Sequence, residues 1–247
     1  MARTQSKHMC NYLNSSMTDV SKPIWPKWTA ADGIGSIEIL DVFGNDLTVV
    51  NAARVSFAKE STEFDGKDAK LIHYLAKHKH TSPFFHPQIR IRIKMPIFVA
   101  REWFRHTVGF SRNEVSRRYV DSTPELWIPK AKDLRARDVN LKQGSKDTLV
   151  DNADMIAESL RIVSEKSLEL YNSLLERNVA PEIARVMLPQ SMYTEFIETA
   201  SLAAYARLVG LRTDPTAQKE IRLYADIVSA LIEVFFPVSW LALTSPI

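Results

Sequence analysis

Residues 86–106 read HPQIRIRIKMPIFVAREWFRH, running from His86 to His106, and the architecture follows from them. Ile89, Ile91, Ile93 and Met95 alternate strictly with Arg90, Arg92 and Lys94. Successive strand side chains point to opposite faces, so this period of two predicts a strand with one buried apolar face and one cationic face. Pro96 follows, in a position suited to the first turn of a helix, where a missing N–H costs nothing. Arg101, Arg105 and His106 are then expected toward the C-terminal end of that helix. A strand feeding directly into a helix is an α/β signature.

On the N-terminal side, SIEILDVFG alternates as a second strand, and Asn45 or Asp46 can cap a helix through LTVVNAARVSF. Asp68 to Lys79 has helical spacing, with Leu71, Ile72 and Leu75 on one side, and Pro83 stops it. On the C-terminal side, Leu149 to Arg177 predicts a long amphipathic helix whose stripe is Ile156, Leu160, Val163, Leu170, Leu174 and Leu175, suited to core or subunit packing. PEIARVMLP starts a short helix at Pro181 and stops before Pro189. SMYTEFIET reads as a strand, ASLAAYARLVGLR as a helix ending near Gly210, and TAQKEIRLYADIVSALIEVFF as a closing helix. No repeat, low-complexity tract or linker interrupts the chain. The expected fold class is α/β, a single domain over residues 36–247 with a central mixed or antiparallel sheet and long packing helices. An irregular leader, residues 1–35, precedes it and docks through Trp25 and Trp28 or stays mobile.

The 247 residues are 45% hydrophobic, enough to bury a core without staples. Cys10 is the one cysteine, so no intrachain disulfide forms, which suits a reducing compartment. No apolar run is long enough to span a membrane and no secretory signal opens the chain, so a soluble, cytoplasmic protein is expected. A formal charge of +3 and a pI near 8.9 are too mild for a dedicated nucleic-acid binder and fit small anionic ligands better. With seven glycines and neither GxxxxGK(S/T) nor GxGxxG, phosphate must be held by arginine side chains.

Such side chains gather in WFRHTVGFSRNEVSRRYV, Trp103 to Val120, expected to leave the helix and enter a loop. Arginine's planar fork suits phosphate and carbonyl groups, Asn113 and Ser116 add neutral donors and acceptors, and Glu114 adds a countercharge. Arg185 and Arg212 stand as isolated cations in apolar surroundings, where an unpaired charge is costly unless an anion meets it. Together they suggest a pocket for an anionic, hydrogen-bonding ligand. His73, His78 and His80 match no metal-ligand spacing and read as solvent-facing, so no metal is expected; His86, opening the cationic strand, is a candidate ligand contact.

RHTVGFSRNEVSRRY resembles the signature of the flavin-dependent thymidylate synthases, an RHR followed after a short gap by Ser and then Arg-Tyr. DVFGNDLTVVNAARVSF, SPFFH, MPIFVAREWFRH, PEIARVMLP, MYTEF and LRTDPTAQKEIRLYA resemble further segments of that family in the same order, from about Ser36 to Tyr224. The resemblance implies reductive methylation of deoxyuridine monophosphate to thymidylate. Methylenetetrahydrofolate would be the carbon donor, FAD the flavin and NADPH the reductant, in a homotetramer with active sites between subunits. It places Ser56, His86, Arg105, His106, Thr107 and Arg207 at the flavin. Glu102, Arg105, Glu114, Ser116, Arg117, Arg118, Arg185 and Arg212 fall at the nucleotide. Arg212, Ser116 and His86 are the candidate catalytic residues. Arg212 would favour negative charge on the pyrimidine, and Ser116, with no local base, would hydrogen-bond the nucleotide rather than attack it.

The chain departs from the family pattern around the cofactor. Thr107 replaces the second arginine of RHR, and the gap from Thr107 to Ser116 is one residue longer. Ser201, Leu202, Ala203 and Ala204 replace an Asn-Ala-Arg-Ser run, Arg207 a common asparagine, Thr216 a common histidine and Glu102 a common glutamine. A divergent, phage-like member acting in a host cytoplasm is one reading. Alternatives are a pyrimidine-nucleotide hydroxymethylase, a cytosine-nucleotide methylating enzyme, or a non-catalytic nucleotide- or RNA-binding protein using the basic strand and the leader tryptophans.

Overall fold

A computed structural model of the chain describes residues 25–139 and 144–245. Cys10 and most of the expected leader lie outside the described residues. The expected leader is not irregular throughout: β1 (Lys27–Thr29) pairs antiparallel with β2 (Ser36–Phe43). Its tryptophans dock, Trp25 against Phe235 and Trp28 edge-on to Tyr224, each at 5.6 Å between ring centres.

β3 (Gln88–Pro96) is the strand its alternation predicts, and it lies at the centre of a five-stranded sheet of order β1-β2-β3-β7-β4, with β7 at Tyr193–Ser201 and β4 at Phe110–Glu114. Every pairing is antiparallel, so the mixed alternative is set aside. Ile89, Ile91, Ile93 and Met95 are fully buried. The opposite face is cationic, but carboxylates answer it: on neighbouring strands Glu38 and Glu195 meet Arg92 at 3.2 and 3.7 Å and Asp41 meets Arg90 at 3.6 Å, while Glu125, in the segment after β4, pairs with Lys94. These cross-strand pairs use the charge that an RNA-binding face would need to present.

Helices cover the apolar face. α1 (Asp46–Arg54) starts at Asn45, whose side chain accepts from Thr48 N while Thr48 Oγ1 accepts from Asn45 N, a capping box. α2 (Gly66–Lys77), α3 (Ile97–Trp103), α6 (Leu202–Arg212), α7 (Lys219–Glu233) and α8 (Pro237–Thr244) complete the layer, with Trp103, Trp240, Tyr205, Phe84 and Phe236 in the core. Asp46 is buried, and its carboxylate accepts from Val238 N and Ser239 N at 2.9 Å each, capping α8. The closing helix is thus two: α7 stops at Glu233, and Pro237 starts α8. At the side lie the hairpin β5 (Arg135–Arg137) and β6 (Ser145–Leu149), then α4 (Ala153–Glu176) and α5 (Pro181–Ala184). Leu149 belongs to β6, so α4 begins later than its periodicity predicts. Tyr171 is its one buried residue, and Val163 (66%), Met155 (64%) and Leu170 (43%) are exposed.

Candidate functional site

α3 ends at Trp103, so Arg105 and His106 lie just past its C-terminus rather than in its last turn. The chain turns there through Arg105 N to Glu102 O and His106 N to Trp103 O. It turns again at Gly109, with φ +82, where a Cβ would stand 3.0 Å from that of Ala204. That is a place for glycine on both counts. The stretch then pairs as β4 along β7, not as the loop expected from its polar residues, with Arg112 directly opposite Glu198.

α6 follows β7 without a linker, Ser201 Oγ accepting from Ala204 N as its cap, and its last residue is Arg212. The helix therefore delivers that guanidinium to the end of α3. Arg212 Nε donates to His106 Nε2 at 2.9 Å, Nη1 to Glu102 Oε2 at 3.3 Å and Nη2 to the Glu102 carbonyl at 3.0 Å. A guanidinium has five N–H groups, so one on each terminal nitrogen remains for a ligand, in the fork arrangement that matches planar carbonyl groups. His106 must be neutral to accept here. Burial, then the Arg212, Arg112 and Arg207 charges, push its pKa down to about 4. Arg212 is therefore not in apolar surroundings without a partner, as its sequence context suggests: it is half-buried and ion-paired. It opens onto a cavity of about 670 Å³ shared with Glu102, Asp214, Thr216 and Arg222.

A second cavity, about 820 Å³, holds Glu114, Ser116, Arg117, Arg118 and Arg185 beside Arg101. Glu114 accepts from Thr194 Oγ1 at 2.6 Å, and Ser116 Oγ accepts from Arg118 N and Nε at 3.3 and 3.4 Å. No base meets Ser116 among the described residues. Arg117 donates to the Ser122 carbonyl. Arg185, in the 3-10 turn after α5, is exposed rather than buried among apolar groups, and Val186 beside it is 75% exposed.

The structure thus brings Glu102, His106 and Arg212 together, and separately Glu114, Ser116, Arg117, Arg118 and Arg185. Ser56, in the 3-10 turn after α1, and His86, just before β3, are exposed, and neither hydrogen-bonds to either group among the described residues. Thr107 is exposed in the loop, and Arg207 Nη2 donates to the Val108 carbonyl at 2.6 Å. Sequence reasoning misses Glu198, buried on the inward face of β7 between Phe196 and Ala200. A carboxylate at an inward position of an alternating strand is the available signal; its partner Arg112 is hidden because β4 carries no recognisable strand pattern.

The chain matches the thymidylate synthase complementing protein family, Thy1, over residues 38–238. It is 39% identical over 208 residues to the flavin-dependent thymidylate synthase of Thermus thermophilus, covering 84% of this chain and 75% of that one. It is 40% identical over 209 residues to the flavin-dependent thymidylate synthase of Kosmotoga olearia, covering 83% and 88%. Among solved structures, a UMP/dUMP methylase, PolB from Streptomyces cacaoi bound with 5-Br dUMP, superposes with a TM-score of 0.75 at 31% identity over 84% of this chain and 94% of that one.

Proposed function

This chain belongs to the flavin-dependent thymidylate synthase family, which makes it a methyltransferase, and on that premise we propose that it converts dUMP to dTMP. Methylenetetrahydrofolate is the carbon donor in this reading, leaving as tetrahydrofolate, with FAD as the flavin and NADPH as the reductant. The observation that carries it is the Arg212 fork, held on three sides and open on the fourth.

A pyrimidine ring accepting a carbon at C5 must first gather negative charge, part of it on a carbonyl oxygen. The two free N–H groups of Arg212 would meet that oxygen, already oriented by His106 and Glu102. Neutral His106 adds no charge to compete with the guanidinium. Arg118 and Arg185 would hold the phosphate, and the Ser116 hydroxyl would orient the nucleotide. The residues around the 105–109 loop fit a flavin dinucleotide: Arg105 is exposed with no side-chain partner among the described residues, and Arg207 stands across the loop. Those two cations suit a diphosphate, while Ser56, His86, His106 and Thr107 would border the rest. Bound there, the flavin supplies the hydride.

The assignment of these groups to two cavities supports a site assembled between subunits of a homotetramer. Arg212 and the Ser116–Arg118 loop line different openings of one chain, and a second copy can bring them to one ligand. The exposed stripe of α4 is apolar enough to be the contact. A cytoplasmic setting fits the described residues, none of whose helices is long and apolar enough to cross a membrane.

Glu102 favours one sibling reading. A carboxylate accepts and does not donate, so it can take the exocyclic amine of cytosine where an amide would serve uracil. Release of tritium from C5-labelled dUMP, with methylenetetrahydrofolate, FAD and NADPH each omitted in turn, tests the main reading. Release that requires the flavin and yields dTMP supports it. No release from dUMP, but release from labelled dCMP, moves the assignment to the cytosine nucleotide.

A further inference from the structure

Glu198 is fully buried and has no part in the chemistry above. Its carboxylate accepts from Trp103 Nε1 through both oxygens, at 3.1 and 3.2 Å, and from Arg112 Nε at 2.5 Å. Arg112 is its cross-strand neighbour, with the guanidinium carbon 4.4 Å from the ring centre of Phe110 and 5.4 Å from that of Phe104. The pair therefore ties β7, β4 and α3 together. It also reaches past them, because Arg112 Nη1 donates to the main-chain carbonyl of His106. That is the residue whose imidazole receives Arg212 Nε.

We propose that Arg112 and Glu198 are positioning residues: they fix the main chain at His106 and, through its imidazole, the orientation of Arg212. The inference rests on the reading of Arg212 as the group that meets the pyrimidine. Cross-bracing alone is a poor reason for a buried ion pair, since apolar residues of similar volume fill such a crossing without the desolvation cost. What they cannot replace is the donor to the His106 carbonyl. Arg112 Nη2 is buried without a hydrogen-bond partner, so the guanidinium works through its other two nitrogens, one on the carboxylate and one on the carbonyl. A flexible lysine has a single charged point and cannot hold both.

The test uses two variants of the full chain. Arg112→Met with Glu198→Gln removes one charge of each sign, and the glutamine oxygen still accepts from Trp103. Arg112→Lys keeps the charge and loses the fork. The histidine titration is read by NMR, with His106 assigned through His106→Gln. The charged groups facing His106 are Arg212 and Arg207 from α6 and Arg112 from β4, with Glu102 of α3 behind Arg212. In Arg112→Lys the charge is unchanged, so a shift there reports movement of the segment; in the double variant the loss of the Arg112 charge raises the midpoint by itself, so that variant is judged by turnover and melting temperature. In Arg112→Lys the His106 midpoint is expected to rise from about 4 by a unit or more toward its ordinary 6.5, with the melting temperature of both variants near that of the wild type. Tritium release per folded molecule is expected to fall about tenfold or more. Folded variants with the wild-type midpoint and turnover overturn the proposal. A wild type that releases no tritium sinks the dUMP reading instead, and the His106 midpoint still judges the pair.

Discussion

In the role proposed for it, Arg212 is a cation prepared before any ligand arrives. Three of its N–H groups are committed to α3 and the loop after it, so its direction is set by the fold. Replacing it by alanine is expected to cut tritium release by about 100-fold or more, and lysine should rescue little, since a point charge cannot reproduce the fork. Turnover at saturating nucleotide checks this. Its acceptor, His106, gives a pH signature of its own. With a folded pKa of about 4 against an ordinary 6.5, the unfolded chain takes up a proton that the folded chain refuses. Stability should therefore decline as pH falls from about 6.5 through about 4, by on the order of 1 kcal/mol after discounting for partial solvent exposure. The difference between wild type and His106→Gln in urea unfolding across that range isolates it. The candidacy of Arg212 is legible from residue type and motif. Its ion pair is not, because Glu102 and His106 approach it from 110 and 106 residues away.

Elements with a strong period are legible in the sequence, and those without one are missed for the same reason. β3 declares itself through Ile89, Ile91 and Ile93 because one face must be dry. β4 reads FSRNE, and the residue facing inward opposite Glu198 is an arginine, so no apolar alternation marks it. The β5–β6 hairpin carries five exposed residues in its second strand and is equally silent. α4 presents the opposite case: its stripe is legible, but it is uncovered in the single chain. Such a face needs a partner. If α4 is the contact of the homotetramer proposed above, Val163→Glu and Leu170→Glu together are expected to give smaller species than the wild type in sedimentation experiments and to abolish tritium release, while circular dichroism retains the helix signal.

Across the molecule, distant segments are joined by few, well-defined polar contacts within the apolar core. Asp46 is the clearest. The sequence offers Asn45 or Asp46 as the cap of α1; Asn45 takes that role, and Asp46 instead caps a helix 192 residues further on. No local pattern reveals such a partner. Asp46→Ala leaves two main-chain N–H groups of α8 without their acceptor and is expected to cost about 1–2 kcal/mol in denaturant unfolding. The same contact bears on time as well as on energy. A bond between segments so far apart in sequence forms only after the chain between them has been gathered, and it is expected to form after the folding barrier is crossed. Losing it should then leave the refolding rate almost unchanged and accelerate unfolding, making Asp46 a determinant of how long each folded molecule lasts.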